Sequence, residues 1–183
     1  MRFLVLGDTH VPDRAASLPE WVKETVEERD YDAVLFTGDA TEYSVIHYLE
    51  SHAKTYAVRG NVDAVDLPEY LTVSAEGHRI FLFHSTEVKP RGDPVKLLRW
   101  GEVAGADIVV FGHTHKRTAY EYGGKIFVNP GTATGAWGGA TRGEPESVAF
   151  LELEGDRATV EIVKDGREEK VLEAGWKDGW VPV

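Results

Sequence analysis

Short apolar runs recur along the first two-thirds of the chain, and segments with the spacing of helices separate most of them. Continuous apolar runs predict buried strands at residues 3–6, 33–36, 55–58 and 108–111. Helices are predicted at residues 20–29, 42–51 and 94–104. Strands that alternate with helices in this way are typical of a parallel sheet with helices packed on it.

The first predicted helix has a start signal in its sequence. Residues 17–20 read Ser-Leu-Pro-Glu, which has the spacing of a capping box with a proline near the helix start. We therefore expect side-chain hydrogen bonds of Ser17 and Glu20 to close the first turn.

Hairpins replace helices after residue 111. Glycine-containing turns separate predicted strands at residues 117–122, 125–129, 147–153, 158–164 and 167–172, and an earlier hairpin is predicted over 71–83. This meander predicts antiparallel pairing. The pattern therefore favours two sheets with helices outside them.

The pattern does not decide the structural role of two segments. Residues 132–143 are rich in small residues and predict a mobile loop, in which Trp137 is a lid, a partner contact or a plug of the core. The tail at residues 174–183 carries Trp176 and Trp180, and it either packs back on the core or meets a partner. Because strands resume after the loop, we expect one domain over residues 1–183.

Composition and charge narrow the classes of function. The 183 residues suffice for one domain with a proper core. The lack of cysteine excludes disulfides and thiolate metal sites and fits a reducing cytoplasm. The net charge of -11 disfavours duplex nucleic acid and anionic membranes. No apolar run approaches the ~20 residues of a membrane span, so we expect none.

Residues that can bind a metal follow five of the predicted strands within about two positions. Side chains at the carboxyl ends of neighbouring strands converge on one crevice in an α/β sheet. The glycines beside several of them permit unusual backbone angles. The residues are Asp8, His10, Asp39, Asn61, His84, His113 and His115.

This set is too large for one tetrahedral ion and indicates two. Carboxylate, amide and imidazole ligands suit a borderline divalent ion, and we expect manganese, with nickel, iron and zinc as alternatives. Two-metal hydrolases hold their ions ~3.5–4 Å apart, and the two oxygens of Asp39 could bridge them. With neutral histidines, Asp8 and Asp39 give the empty cluster about -2, and two ions would make it about +2. A small phosphate ester then becomes a suitable substrate despite the acidic chain.

In order along the chain, the motifs Asp8-Thr9-His10, Gly38-Asp39, Gly60-Asn61, His84 and Gly112-His113-Thr114-His115 resemble those of the calcineurin-like metallophosphoesterases. The resemblance implies a four-layer α/β/β/α sandwich of two mixed sheets flanked by helices. It implies a metal-dependent hydrolase in which a hydroxide bridging two ions attacks phosphorus in line. Asp8, His10, Asp39 and His115 would bind one ion, and Asp39, Asn61, His84 and His113 the other. The catalytic residues would be Asp39, Asn61 and His84.

Two positions depart from the common form of that family. Many members have a histidine after the Gly-Asn pair, where this chain has Val62 followed by Asp63, which resembles the small single-domain phosphodiesterase branch. Ser85 replaces the glycine that often follows His84. Asp63 either hydrogen-bonds a ligand or belongs to a turn. Arg59 and Arg91 could contact phosphate, but exposed arginines are common, so we expect no specific role for them.

The motifs at residues 7–12, 17–19 and 128–136 also resemble the scaffold subunit of the eukaryotic retromer coat. That subunit shares the fold but works through protein–protein contacts and has a degraded metal site. The first alternative function is therefore a protein-interaction module with a vestigial metal site and an apolar patch for a partner. A third function left open is that of a phosphomonoesterase acting on nucleotides or phosphoproteins. The intact types of Asp39 and Asn61 favour the enzyme.

Overall fold

The computed structural model describes residues 1–138 and 143–183, so residues 139–142 of the predicted mobile loop lie outside the described residues. In this part of the chain there are twelve strands and three helices. In chain order they are β1 (Arg2–Leu6), α1 (Glu20–Glu28), β2 (Ala33–Phe36), α2 (Tyr43–Glu50), β3 (Lys54–Ala57), β4 (Tyr70–Ala75), β5 (His78–Phe83), α3 (Pro94–Val103), β6 (Ile108–Phe111), β7 (Thr118–Tyr122), β8 (Lys125–Asn129), β9 (Ser147–Glu154), β10 (Arg157–Lys164), β11 (Arg167–Trp176) and β12 (Trp180–Pro182).

The strands form two mixed sheets. The seven-stranded sheet has the order β12-β11-β10-β9-β1-β2-β3, and β1, β2 and β3 run parallel. The predicted meander joins this same sheet, because β9 pairs antiparallel with β1. The five-stranded sheet has the order β4-β5-β6-β8-β7, with a parallel centre and antiparallel edges.

Alternate residues of the central strands serve different layers. Phe3 and Val5 of β1 pack in the core between the sheets, whereas Leu4 and Leu6 pack in the core that includes α1 and α2. Leu97 of α3 packs on the outer face of the five-stranded sheet. Burying each such side chain contributes roughly 1.5–3 kcal/mol. The predicted four-layer α/β/β/α sandwich is confirmed.

The predicted capping box does not form. Helix α1 begins at Glu20, its N-cap residue is Pro19, and no side chain caps it. The Ser17 hydroxyl instead donates to the Leu18 carbonyl. Pro19 lies in an extended conformation, with ψ of 150°, so the helix can start only after it and Ser17 is too early to cap it.

The tryptophan-containing tail packs back on the core. Trp180 of β12 is completely buried between the sheets, and its ring centroid lies 4.6 Å from that of His78. Its backbone N–H donates to the Gly124 carbonyl at 2.8 Å. Among the described residues, no helix has the length and apolar character needed to cross a membrane.

Candidate metal centre

All seven candidate ligands follow the carboxyl ends of strands, and the strands come from both sheets. Asp8 and His10 follow β1, Asp39 follows β2 and Asn61 follows β3 in the seven-stranded sheet. In the five-stranded sheet His84 follows β5, and the other two histidines follow β6. Six of the seven are buried, and Asn61 is exposed. The site thus lies where the ends of the two sheets meet.

The ligand loops adopt an uncommon backbone conformation. Among the described residues, ten that are not glycine have a positive φ, and five of these are candidate ligands: Asp8 (48°), His10 (49°), Asp39 (58°), His113 (69°) and His115 (60°). Each such residue costs of the order of 1–3 kcal/mol and persists only where the surroundings hold it in place. Backbone strain of this kind is concentrated at functional sites. Here the strained conformations direct the five side chains into one space.

Glycine is required next to Asp39 for close packing. A Cβ atom on Gly60 would lie 2.0 Å from Oδ1 of Asp39. Gly38 has a φ of 99°, and a Cβ there would lie 2.8 Å from Nδ1 of His84. These two glycines let the loops after β2 and β3 approach each other closely enough to bring Asp39 beside Asn61.

One group of ligands consists of Asp8, His10, Asp39 and His115, whose candidate donor atoms all lie within 4.8 Å of one another. The Nε2 atoms of His10 and His115 are 3.2 Å apart. Nε2 of His115 lies 3.4 Å from Oδ1 of Asp8, and Nε2 of His10 lies 3.5 Å from Oδ2 of Asp39. Four buried donors therefore surround one point.

A second group shares Asp39 with the first. Nε2 of His84 lies 3.3 Å from Oδ2 of Asp39 and 3.1 Å from Oδ1 of Asn61. The rings of His84 and His113 have centroids 5.0 Å apart. Asp39, Asn61 and His113, together with His115 of the first group, line a cavity of about 50 Å³. Both groups meet at one oxygen, Oδ2 of Asp39.

Backbone hydrogen bonds fix the orientation of the ligands. Nδ1 of His84 donates to the Thr37 carbonyl at 2.8 Å, and Nδ1 of His115 donates to the Ala136 carbonyl at 2.7 Å. Each ring therefore turns its Nε2 atom towards the carboxylates, which is the usual arrangement for histidines that bind metals. The His113 amide donates to Asp8 at 3.0 Å, and the Val62 amide donates to Oδ1 of Asp39 at 3.1 Å.

The Asp63 carboxylate links the ligand loops through hydrogen bonds to their backbone. Its Oδ2 atom accepts hydrogen bonds from the Asp39 amide at 3.0 Å and the Gly60 amide at 2.7 Å. Its Oδ1 atom accepts from the Thr41 amide at 2.6 Å. Of the two roles that the sequence left open, the structure shows the one in which Asp63 supports a ligand.

The two buried carboxylates have opposite pKa shifts. Burial raises the pKa of Asp8 to about 6, although the nearby His84 and His115 oppose this rise. Burial also acts to raise the pKa of Asp39, but the hydrogen bond and charge of His84 outweigh it and hold the pKa at about 2. Asp39 is therefore the carboxylate that stays ionised most readily.

The histidines of the centre also have pKa values that are shifted in opposite directions. Burial acts to lower the pKa of His84, but its hydrogen bond to Asp39 and the charges of Asp8 and Asp39 outweigh this effect and raise the pKa to about 9. Burial lowers the pKa of His10 and of His113 to about 4, so both imidazoles are neutral at pH 7. Neutral imidazole is the form that binds metals.

The residues present fit a divalent cation. Oxygen and imidazole nitrogen donors converge in a buried space, which is the donor set of a borderline metal ion. Within residues 1–138 and 143–183, Nδ1 of His10 is buried and has no hydrogen-bond partner. Nε2 is the His10 nitrogen that faces the other donors, so an ion would bind there and Nδ1 would lie outside its ligand set.

Two arginines that sequence reasoning did not assign to the site flank it. Arg14 and Arg91 line the 50 Å³ cavity. Arg14 stacks on the Trp137 ring at 4.4 Å and donates to the Trp137 carbonyl, and Arg91 donates to the Gly138 carbonyl. Trp137 is 52% exposed, so it is not a plug of the core. Exposed arginines are common in any sequence, so only the fold shows that these two lie at the site.

Comparisons with known proteins identify the family of the chain. The calcineurin-like phosphoesterase superfamily domain matches residues 1–156. A probable metallophosphoesterase from Methanothermobacter thermautotrophicus is 34% identical over 165 residues, covering 88% of this chain and 91% of that protein.

Two solved structures of Vps29, a retromer subunit, are also similar. Vps29 from Cryptosporidium parvum has a TM-score of 0.89 and 31% identity, covering 96% of this chain and 98% of that one. Wild-type Vps29 from Entamoeba histolytica, complexed with Zn²⁺, has a TM-score of 0.86 and 30% identity, covering 97% of this chain and 100% of that one. Both resemblances expected from the motifs are confirmed. The chain belongs to the calcineurin-like phosphoesterase superfamily, whose membership supports a metal-dependent phosphoesterase.

Proposed function

We propose that the protein is a phosphodiesterase that uses two divalent transition-metal ions. The observation that carries this proposal is the position of Oδ2 of Asp39, which lies 3.5 Å from Nε2 of His10 on one side and 3.3 Å from Nε2 of His84 on the other. A carboxylate oxygen between two sets of donors is suited to bridge a pair of cations.

The two ligand groups supply one set of donors for each ion. Oδ2 of Asp39 faces the histidines of both groups, and Oδ1 accepts a hydrogen bond from the Val62 amide. Asp39 would therefore be shared by the two ions. Asp8, His10 and His115 would hold the first ion, and Asn61, His84 and His113 would hold the second. When bound, the ions would supply a nucleophilic hydroxide at neutral pH and positive charge for the phosphoryl oxygens.

The remaining groups of the site position the substrate. Arg14 and Arg91 both line the small cavity, and their charges contribute to the low pKa values of His10 and His113 respectively, after the larger effect of burial. Guanidinium groups bind phosphate oxygens through charge-assisted hydrogen bonds. We therefore assign both arginines, together with Asn61, to the phosphoryl oxygens.

The preference for diesters rests on the Asn61-Val62-Asp63 motif, which resembles that of the small single-domain phosphodiesterase branch. Val62 cannot donate a proton, so the site lacks the histidine that serves the leaving group in many relatives. A positioned general acid contributes roughly 10²–10⁴-fold to the rate, and substrates that need one should be hydrolysed slowly.

We further propose manganese as the metal and the cytoplasm as the compartment. We also propose one metallophosphoesterase domain over residues 1–183, because β9–β12 extend the sheet of β1.

Replacement of Asp39 tests the proposed function. The protein is stripped with EDTA, reloaded with Mn²⁺ and assayed on bis(p-nitrophenyl) phosphate and p-nitrophenyl phosphate. We expect faster hydrolysis of the diester, and we expect Asp39→Asn to reduce kcat by at least about 100-fold, because it removes the bridging charge.

Asp66→Asn is the matched control, since Asp66 is an exposed carboxylate in the loop that follows Asn61. Elemental analysis of the same samples should show less bound metal in Asp39→Asn than in the control. Full activity of Asp39→Asn would rule out the bridging role.

The second candidate function is a protein-interaction module similar to Vps29. The TM-scores of 0.89 and 0.86 favour it, and helix α3 exposes Val95 and Val103 at 46% and 86%. This candidate predicts no turnover of any phosphate ester with Mn²⁺, Ni²⁺, Fe²⁺ or Zn²⁺. Turnover that depends on Asp39 would exclude a vestigial site.

A further inference from the structure

A cavity of about 220 Å³ opens directly beside the candidate metal centre. Asn61 and His84, two ligands of the second group, line one end of it. Asn61 also lines the cavity of about 50 Å³ in front of Asp39, so the two spaces adjoin at this residue. A substituent on a phosphate held in the smaller space can therefore extend into the larger one.

Aromatic side chains from three different elements wall the larger cavity. They are Tyr70 at the start of β4, Phe83 at the end of β5 and Trp100 in α3. The Phe83 and Trp100 rings have centroids 5.6 Å apart, and Phe83 is buried while Tyr70 is 61% exposed. Because strands and a helix carry these rings, the walls are held by the fold. Flat apolar walls favour a flat ring through stacking.

The charged residues of this cavity argue against an anionic occupant. Arg59 is paired with Glu69 at 2.8 Å, and Glu87 adds a further negative charge, so these three side chains sum to about -1. These three side chains therefore supply no net positive charge that would hold a second phosphate group or an acidic peptide in this cavity. An uncharged ring that presents a few polar edges to the rim is compatible with both the walls and the charge.

We propose that this cavity binds a planar aromatic substituent of the phosphate ester, either an aryl ring or a nucleobase. This inference rests on the proposed function because it places the phosphate at the same metal centre. It adds the class of substrate, which neither the motifs nor the family assigns. Tyr70 and Trp100 are the residues that determine the preference.

Binding of two phosphonates tests the proposal without any turnover. Phenylphosphonate and methylphosphonate have the same charge type and a C–P bond in place of the ester, so they differ mainly in the ring. Calorimetry on the Mn²⁺-loaded protein should give a Kd for phenylphosphonate about tenfold lower, the size expected for one stacked ring. A second pair of probes tests the same difference in Kd for a nucleobase: thymidine 5′-monophosphate and 2-deoxyribose 5-phosphate.

Two variants locate the effect, and a third serves as control. Tyr70→Ala and Trp100→Leu should each reduce the aromatic preference several-fold and leave the Kd of methylphosphonate unchanged. Tyr122→Ala should change neither, since Tyr122 is an exposed tyrosine on β7, at the opposite edge of the same sheet. Because Tyr70 is largely exposed, its variant should keep the melting temperature of the wild type.

The outcomes separate this inference from the proposed function. An aromatic preference in either pair of probes that both variants diminish supports the cavity assignment, even if no ester is hydrolysed. If diesters are hydrolysed but neither pair shows the preference, or the preference survives both variants, the cavity assignment is wrong and the phosphodiesterase proposal stands. Failure of every probe to bind would also overturn the assignment.

Discussion

At the scale of single residues, backbone conformation matters as much as side-chain type. Five of the seven candidate ligands have positive φ angles between 48° and 69°. Their positions in the fold were predictable because each lies shortly after an apolar run. Their conformations were not, because an L-residue enters this region only when distant contacts, such as the bond from the His113 amide to Asp8, hold it there.

The arginines beside the cavity lead to a prediction at this scale. Arg91→Ala should raise KM for a phosphodiester about tenfold and change kcat little, because a hydrogen bond to a charged group contributes roughly 1.5–3 kcal/mol and Arg91 is largely exposed. Steady-state kinetics measure both constants. Arg91→Lys should recover part of the loss, since it keeps the charge.

Arg167→Ala provides the comparison, because Arg167 is an exposed arginine on β11. An unchanged KM in Arg91→Ala would show that this guanidinium only holds the Gly138 carbonyl. A lower melting temperature without a change in KM would give the same answer.

At the scale of elements, the site depends on the hydrogen bonds that hold the loops after β2 and β3 together. Both strands are four residues long, and they pair in parallel register from Ala33–Lys54 to Phe36–Ala57. The sequence predicts both strands and their order. It does not reveal that the Asp63 carboxylate accepts three backbone amides from these loops, because a single aspartate near a turn has the same local pattern in either role.

Removal of this carboxylate should weaken the fold and the site together. Asp63→Asn turns one acceptor oxygen into a donor that faces backbone N–H groups, so we expect the free energy of unfolding to fall by about 3 kcal/mol. Urea unfolding followed by circular dichroism measures the change. Metal affinity should fall in parallel, because the Asp39 amide loses its partner.

The exposed Asp66 in the same loop again gives a matched control as Asp66→Asn. An Asp63→Asn protein with the urea midpoint of the wild type would show that water replaces the carboxylate at little cost. In that case Asp63 would not be what positions Asp39.

At the scale of the whole molecule, the negative charge opposes the proposed substrate. The chain carries -11, and the metal-free centre adds two carboxylates where a phosphate would bind. With neutral histidines, the two divalent ions that we propose would reverse the local sign from about -2 to about +2. At ~4 Å, opposite unit charges attract by ~4 kcal/mol at an intermediate effective dielectric constant, which is enough to decide whether an anion binds.

Phosphate binding should therefore require the metal. In EDTA, inorganic phosphate should give no measurable heat in calorimetry, whereas the Mn²⁺-loaded protein should bind it. A Zn²⁺-loaded sample, followed by phosphorus NMR, offers a second readout with a diamagnetic ion. Phosphate binding to the EDTA-treated protein would mean that Arg14 and Arg91 alone overcome the carboxylates.

The sequence by itself determined which residues are available for the chemistry. Apolar runs that end in aspartate, asparagine or histidine are local features, and they sufficed to predict the ligands, the layered fold and the family. The tertiary structure alone decided that β9 pairs with β1, that Trp180 fills the space between the sheets, and that Arg14 and Arg91 flank Asp39. Local patterns report whether a strand is buried, but its neighbours depend on contacts between residues more than a hundred positions apart, such as Phe3 and Leu151. For the same reason, the aromatic walls from β4, β5 and α3 become one cavity only in the folded chain.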